Sequence, residues 1–476
     1  MLFNSIEFLL FLPIVFVLYW FVFNKSLKVQ NSLILLSSYF FYGWWDYRFL
    51  SLIFLSTLVD YFIGLNIPKQ TSQKRQKLLL WCSVLFNLSV LGFFKYYNFF
   101  VDSWVDLFNS VGYEIKSVWT LNIILPVGIS FYTFQTMSYT IDIYRKKIEP
   151  TKDFISFASF VSFFPQLVAG PIERASNLLP QILKKREFQY EQGIQGIRLI
   201  LWGMFKKVVI ADTLAPMVGD IFGNYQDLGG GTLWLGAIYF AFQIYCDFSG
   251  YSDIAIGTAK LFGFELMSNF KFPYFSRNIG EFWRKWHISL STWFRDYLYI
   301  PLGGSQEGKW KSIRNIFIVF LVSGFWHGAN WTFIFWGLFH SILFLPSFIF
   351  KTNRKYTTSV IAENTLLPSP KEFIQVITTF TLVTIGWVFF RSETIVDAFG
   401  YLNQMIFDIN FERIDLTNAL IFVLFIITEY KIKSDERSIS FSKFKLVNNS
   451  IYLIIGIFII LFFFKKGDGS FIYFQF

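Results

Sequence analysis

Charge is scarce in this chain of 476 residues. Only 16% of them are Asp, Glu, Lys or Arg, where a soluble domain carries about 25%. Hydrophobic residues make up 54% and are gathered in runs, which points away from a soluble protein. Cysteine is nearly missing. Cys82 and Cys246 lie far apart in apolar runs, which argues against a disulfide and leaves no metal-type spacing. Histidine is limited to His287, His327 and His340, and their spacings of 40 and 13 residues match no local zinc-ligand motif. A Walker loop, a dinucleotide fingerprint and a nucleophile elbow are all lacking. "LGGGT" (228–232) has no strand–turn–helix setting and reads as an exposed turn. The net charge of +10 would suggest nucleic acid in a soluble protein. Here the basic residues sit in short loops between apolar runs, the pattern of topology signals rather than of a nucleic-acid surface.

What the chain does have is apolar and aromatic. Phenylalanine alone contributes 64 residues, and mean hydropathy is +0.46. A helix needs about 20 apolar residues to cross the hydrocarbon core. Apolar runs recur from residue 5 to residue 464, and the first, Phe8 to Phe23, has no cleavage signal and reads as a retained helix. The expected architecture is all-α and polytopic, with about eleven transmembrane helices. Segments 154–171 and 322–333 look broken or re-entrant, and non-helical backbone at membrane depth needs protein or a water-filled cavity around it. The chain divides into a membrane-embedded domain, 1–464, and an aromatic tail, 465–476. Lys/Arg-rich loops at 69–77, 144–152, 351–355 and 431–445 are expected in the cytoplasm, and the acidic loops 101–117 and 391–415 outside. One alternating path satisfies these assignments and puts both termini on the exoplasmic side.

Polar residues concentrate between Asp247 and Asn330. "YCDFSGYSDIAIGTAKLFGF" (245–264) sets Asp247, Ser249, Ser252 and Asp253 among apolar residues. Such groups are functional candidates, and they suit a hydrogen-bonded helix crossing equally well. In "RNIGEFWRKWHISLSTWFRDYLYIPLGG" (277–304), Phe282, Trp286, Leu290, Trp293 and Tyr297 recur every three or four residues. Arg284, His287, Ser291 and Arg295 fall on another face, which predicts one amphipathic helix at the membrane interface. In "FLVSGFWHGANWTFIFWGLFH" (320–340), His327 precedes the small residues Gly328 and Ala329. Imidazole is suited to proton transfer near neutral pH, although an isolated histidine is more often structural. His340 lies on a plain apolar helix and reads as structural.

These blocks carry a resemblance. With "MLFNSIEFLLFLPIVF", "YGWWDYRFL", "LPVGISFYTFQTMSYTIDIYR", "FFPQLVAGPIERA" and "GMFKKVVIADTLAP", they make the chain similar to the membrane-bound O-acyltransferase family over almost its whole length. It looks most like the bacterial alginate, polysaccharide and peptidoglycan O-acetyltransferases. The resemblance implies a central tunnel, with His327 as the catalytic histidine and His287 as the second signature position. It implies acetyl-CoA as donor, with no permanently bound cofactor or metal. Arg284, Lys285 and Arg295 are then candidates for the CoA phosphates. Lys206 and Lys207 are weaker candidates, because lysines of this kind are usually topology signals. The acceptor side implies a polysaccharide or peptidoglycan and an SGNH-type transferase partner outside a bacterial cell membrane.

The ending "FIYFQF" (471–476) resembles the aromatic C-terminal motif of this branch, whose tyrosine, here Tyr473, acts as an acyl relay. Two other readings stay open. One is a D-alanyl transferase for teichoic acids, although those systems keep the tyrosine tail on a separate peptide. The other is a transporter of lipid-linked glycans, which would usually show the paired repeats that are missing here.

Overall fold

The structure, a computed structural model, describes residues 1–113, 120–121, 123–408, 410 and 419–463, and among these it is helical with no strand. The tail that contains Tyr473 lies outside the described residues. The described chain falls into two compact units, Met1–Gly193 with Thr258–Met267, and Ile194–Gly257 with Ser268 onward.

The first unit contains α1 (Ile6–Val17), α2 (Leu27–Asp46), α3 (Leu50–Asn66), α4 (Gln73–Leu91), α5 (Tyr97–Ser110), α6 (Ile129–Tyr144), α7 (Phe154–Ser162), α8 (Phe164–Leu167) and α9 (Ala175–Ile182). At its centre is α6, where 14 of 16 residues are buried. It packs against a buried polar network. Asp60 of α3 accepts hydrogen bonds from Ser83 (2.5 Å) and Asn87 (2.8 Å) of α4, and Thr136 of α6 donates to Asn87. The segment 154–171 is broken at Phe163, two residues before Pro165. Side chains satisfy the backbone groups near the break, as burial requires. Gln135 and Gln166 donate to the Phe160 carbonyl (2.7 and 3.1 Å), and Ser38 accepts from the Phe164 amide (3.1 Å).

The remaining helices are α10 (Tyr190–Met204), α11 (Asp212–Gly223), α12 (Gly230–Leu261), α13 (Ile279–Lys285), α14 (Ile288–Phe294), α15 (Lys309–His327), α16 (Trp331–Ile349), α17 (Pro370–Arg391), α18 (Ile395–Phe407), α19 (Ala419–Ile432) and α20 (Lys445–Phe463). Between α10 and α11 the chain widens into a π-helical stretch, Phe205–Ala211. Neighbouring lysines there reach different acids. Lys206 pairs with Asp253 (2.6 Å), and Lys207 pairs with Asp212 (2.9 Å) and Asp247 (2.6 Å). Both lysines are buried, which corrects the reading of them as exposed topology signals. Asp247 and Asp253 are their ion-pair partners, and Ser252 accepts a hydrogen bond from Asn269 (2.8 Å).

Five helical stretches among the described residues are long and apolar enough to cross a membrane: Leu27–Asn66, Gln73–Ser110, Trp331–Ile349, Pro370–Arg391 and Lys445–Phe463. This supports a polytopic membrane protein. The expected count of about eleven is not reached by that measure. The long α12 carries Asp247, Asp253 and Lys260, while α6, α10 and α19 are shorter than a full span.

Lys207→Met leaves Asp212 and Asp247 buried beside an apolar chain. Removing one partner of a buried ion pair costs about 3–5 kcal/mol. The variant is expected to unfold at a clearly lower temperature in detergent, measured by tryptophan fluorescence.

Candidate active site

The expected single helix over 277–304 is in fact two short ones. Asn278 caps α13, accepting from the Glu281 amide (2.8 Å). The chain then extends at Trp286 and turns left-handed at His287 (φ 43°, ψ 56°) before α14 begins. Periodicity alone misses this break, because the apolar residues keep helical spacing on either side of it. The face of Phe282, Trp286, Leu290 and Trp293 is also buried, not interfacial.

A residue that the sequence reading passed over holds the break in place. The Asn269 carbonyl accepts from the Ile288 amide (2.9 Å). Its side-chain oxygen accepts from Ser289 (2.6 Å), and its amide donates to Ser252. Asn269 thus ties the His287 turn to α12. No motif marks it, since its partners lie 17 and 20 residues away.

His327 is placed by a helical hairpin. α15 ends at His327, Gly328 is extended (φ −162°), and Asn330 caps α16 by accepting from the Thr332 amide (2.9 Å). The two helices approach so closely that a side chain at Gly324 would strike the Phe333 carbonyl, and one at Gly337 the Phe320 carbonyl. The rings of His287 and His327 lie 6.4 Å apart, centroid to centroid. His327 packs against Trp336 (5.2 Å) and Phe390 (5.4 Å). His287 meets Phe248 edge to face (4.7 Å). Burial pushes the His287 pKa down to about 3, so that its ring is neutral at physiological pH. His340 is wedged between Trp283 and Trp336, as its apolar helix suggested.

Both histidines line a cavity of about 870 Å³. Lys309 and His327, the two ends of α15, both border it. Eighteen steps of 1.5 Å make the cavity roughly 27 Å deep. The histidine end is walled by Trp283, Trp286 and Ser323, and the other end by Arg295, Lys309, Lys351 and Arg354. Lys309, Lys351 and Arg354 are exposed, and among the described residues they form no ion pair.

Of the proposed phosphate-binding residues, Arg295 borders the cavity, though it also pairs with Asp296 (2.7 Å). Arg284 and Lys285 do not border it. Arg284 donates to the carbonyls of Asn353 and Tyr356, and Lys285 is held by the buried Glu281 (2.7 Å). Lys309, Lys351 and Arg354 were missed because they come from separate segments that only the fold brings together. Among the described residues no three His, Cys, Asp or Glu side chains converge as a metal set.

A helical membrane protein with two imidazoles at the inner end of a deep cavity and cations at its rim has the layout of an enzyme site. The comparisons make the class definite. The chain belongs to the membrane-bound O-acyltransferase family, whose profile matches residues 115–388, and it is an acyltransferase. It is 42% identical over 401 residues to a Pseudomonas putida protein named "Probable alginate O-acetylase AlgI", covering 83% of this chain and 78% of that one. It is 35% identical to the peptidoglycan O-acetyltransferase of Helicobacter pylori, over 85% of this chain and 80% of that one. A Streptococcus thermophilus teichoic acid D-alanyltransferase is more distant, at 28% identity over 59% of this chain and 70% of that one.

Proposed function

We propose that the protein is a membrane O-acetyltransferase that takes acetyl from cytoplasmic acetyl-CoA and delivers it to a cell-surface or secreted polysaccharide, or to peptidoglycan. The single observation that carries this reading is the cavity with His327 at its inner end and a cationic rim. CoA is a polyanion with a thioester at the end of a long arm. A rim of four basic side chains suits its phosphates, and a depth of roughly 27 Å suits the arm. The relatives named for alginate and peptidoglycan O-acetylation support acetyl over D-alanyl, since they match more closely and over more of the chain. The basic ends of α15 and α16 support a cytoplasmic rim.

In the transfer, an acceptor hydroxyl gives its proton to His327 as its oxygen attacks the thioester carbonyl. The C–S bond breaks, an ester C–O bond forms, and the proton passes to the departing CoA sulfur. His287, neutral and in the same wall, orients the reacting groups. Tyr473 is the first acceptor in this reading. A phenol, with a pKa of about 10, makes a more reactive ester than a sugar alcohol does. Acetyl-tyrosine can then acylate a polymer hydroxyl or an SGNH-type partner outside, which splits one hard step into two.

Three outcomes are expected. His327→Ala accumulates normally in membranes but transfers no label from [14C]acetyl-CoA, and membranes given D-alanyl carrier protein transfer none either. Lys351→Glu combined with Arg354→Glu raises KM for acetyl-CoA by about ten-fold or more while kcat changes little, the signature of lost uniform binding. Tyr473→Phe folds normally and still binds acetyl-CoA, and its C-terminal peptide gains no 42 Da adduct (~42 Da, the mass of one acetyl replacing hydrogen at the phenol) by mass spectrometry. Full external acetylation in that variant would remove the relay.

A further inference from the structure

A second cavity, of about 380 Å³, lies where α11, the turn after it and the α17–α18 junction meet. That volume is within the range of small-molecule sites, about 300–1,000 Å³. Its lining is mainly polar, unlike a lipid groove. Asp227, Arg391, Glu393 and Asp397 border it, with Phe222 and Tyr225. Tyr401 behind them stacks on Phe222 (4.4 Å). The Tyr225 hydroxyl donates to Asp397 (3.4 Å), which also accepts from Thr394 (2.6 Å). The Arg391 guanidinium lies over the Phe222 ring (5.6 Å). Among the described residues it makes no hydrogen bond or ion pair, so its donors are available to a ligand.

The position is as informative as the lining. α17 starts at Pro370 and ends at Arg391, so its 22 residues carry the chain roughly 33 Å. Arg277 bonds to Glu372 in the first turn of α17 and to Ser359 in the loop that leads to it, while its ring contact is Tyr356. That end of α17 therefore adjoins the loop after the rim residues Lys351 and Arg354. The second cavity is at the opposite end. It is also close behind the reacting histidine. Phe390 touches the His327 ring, and the Asn330 side chain donates to the Glu393 carbonyl (2.9 Å).

We infer that this cavity is a saccharide-binding subsite for an uncharged acceptor glycan, reached from the face opposite the donor rim. The inference rests on the acetyltransferase reading for the word acceptor, but the binding itself does not. A pyranose presents hydroxyls that need both donors and acceptors, together with C–H faces that lie on aromatic rings. Arg391 supplies donors, Asp227, Glu393 and Asp397 supply acceptors, and Phe222 and Tyr225 supply ring faces. Three carboxylates against one guanidinium leave the site net negative. A polyuronate would meet like charge there, which discriminates against it as effectively as a steric clash would.

The test uses the full chain purified in detergent, without any acetyl donor, and two probes: chitotetraose, which is neutral, and tetramannuronate, which is anionic. Saturation-transfer NMR and titration calorimetry should show chitotetraose bound about ten-fold or more tightly than tetramannuronate. The Asp227 and Glu393 side chains are exposed and, among the described residues, make no hydrogen bond or ion pair, so Asp227→Asn with Glu393→Gln should fold. That variant is expected to weaken chitotetraose and strengthen tetramannuronate, a reversal that general loosening of the fold would not produce. Equal binding of the two probes, or a variant that behaves like the parent, would overturn the inference. So would a failure of both probes to bind, which would favour a protein partner at this face. Because no donor is present, this binding is measured apart from the acetyltransferase reading, whose failure would show instead in the labelled acetyl-CoA assay as a protein that binds chitotetraose but transfers no acetyl.

Discussion

Two helix backbones in direct contact determine where the His327 imidazole sits. Gly324 and Gly337 let α15 and α16 press carbonyl against Cα, a closeness that only small residues permit. The turn between the helices is therefore short. Within a few residues the chain ends one helix, extends through Gly328 and caps the next with Asn330. His327 is the last residue of its helix, so its ring is projected from a fixed backbone and gripped by Trp336 and Phe390. The partner imidazole is held by a different device, a left-handed turn fastened through Asn269. Neither ring relies on solvent-exposed side chains for its position.

The buried charges of the same unit follow from a related geometric constraint. Successive residues on a helix point in different directions, so Lys206 and Lys207, neighbours within the π-helical stretch, face different partners. Lys206 then finds Asp253 on α12, and Lys207 finds Asp212 on α11 and Asp247 on α12. This resolves why two aspartates sit amid the apolar residues of "YCDFSGYSDIAIG": they neutralise cations in an environment where an unpartnered charge would be expensive.

Much of the architecture was legible in the sequence because hydropathy and small-residue spacing report local physics. The helical class, the breaks within 154–171 and 322–333 and the packing role of His340 all came from such signals. The pairing of His287 with His327 came from the resemblance rather than from spacing. What stayed hidden is instructive. The His287 break was invisible because no glycine or proline marks it, and the flanking residues keep helical phase. Arg284 and Lys285 looked like phosphate ligands by charge alone, yet carbonyls of the 353–356 loop and the buried Glu281 occupy them. The rim that does border the cavity draws on residues 295, 309, 351 and 354, a set assembled by three helix ends that no linear motif can announce.

That dispersed rim has an evolutionary consequence. Its exposed side chains stand on helix ends and loops, remote from the packed aromatic cage around the imidazoles, so substitutions there leave the cage undisturbed. In the proposed reaction, preference for one donor headgroup over another can therefore drift between relatives while the cage that holds the two histidines is inherited intact.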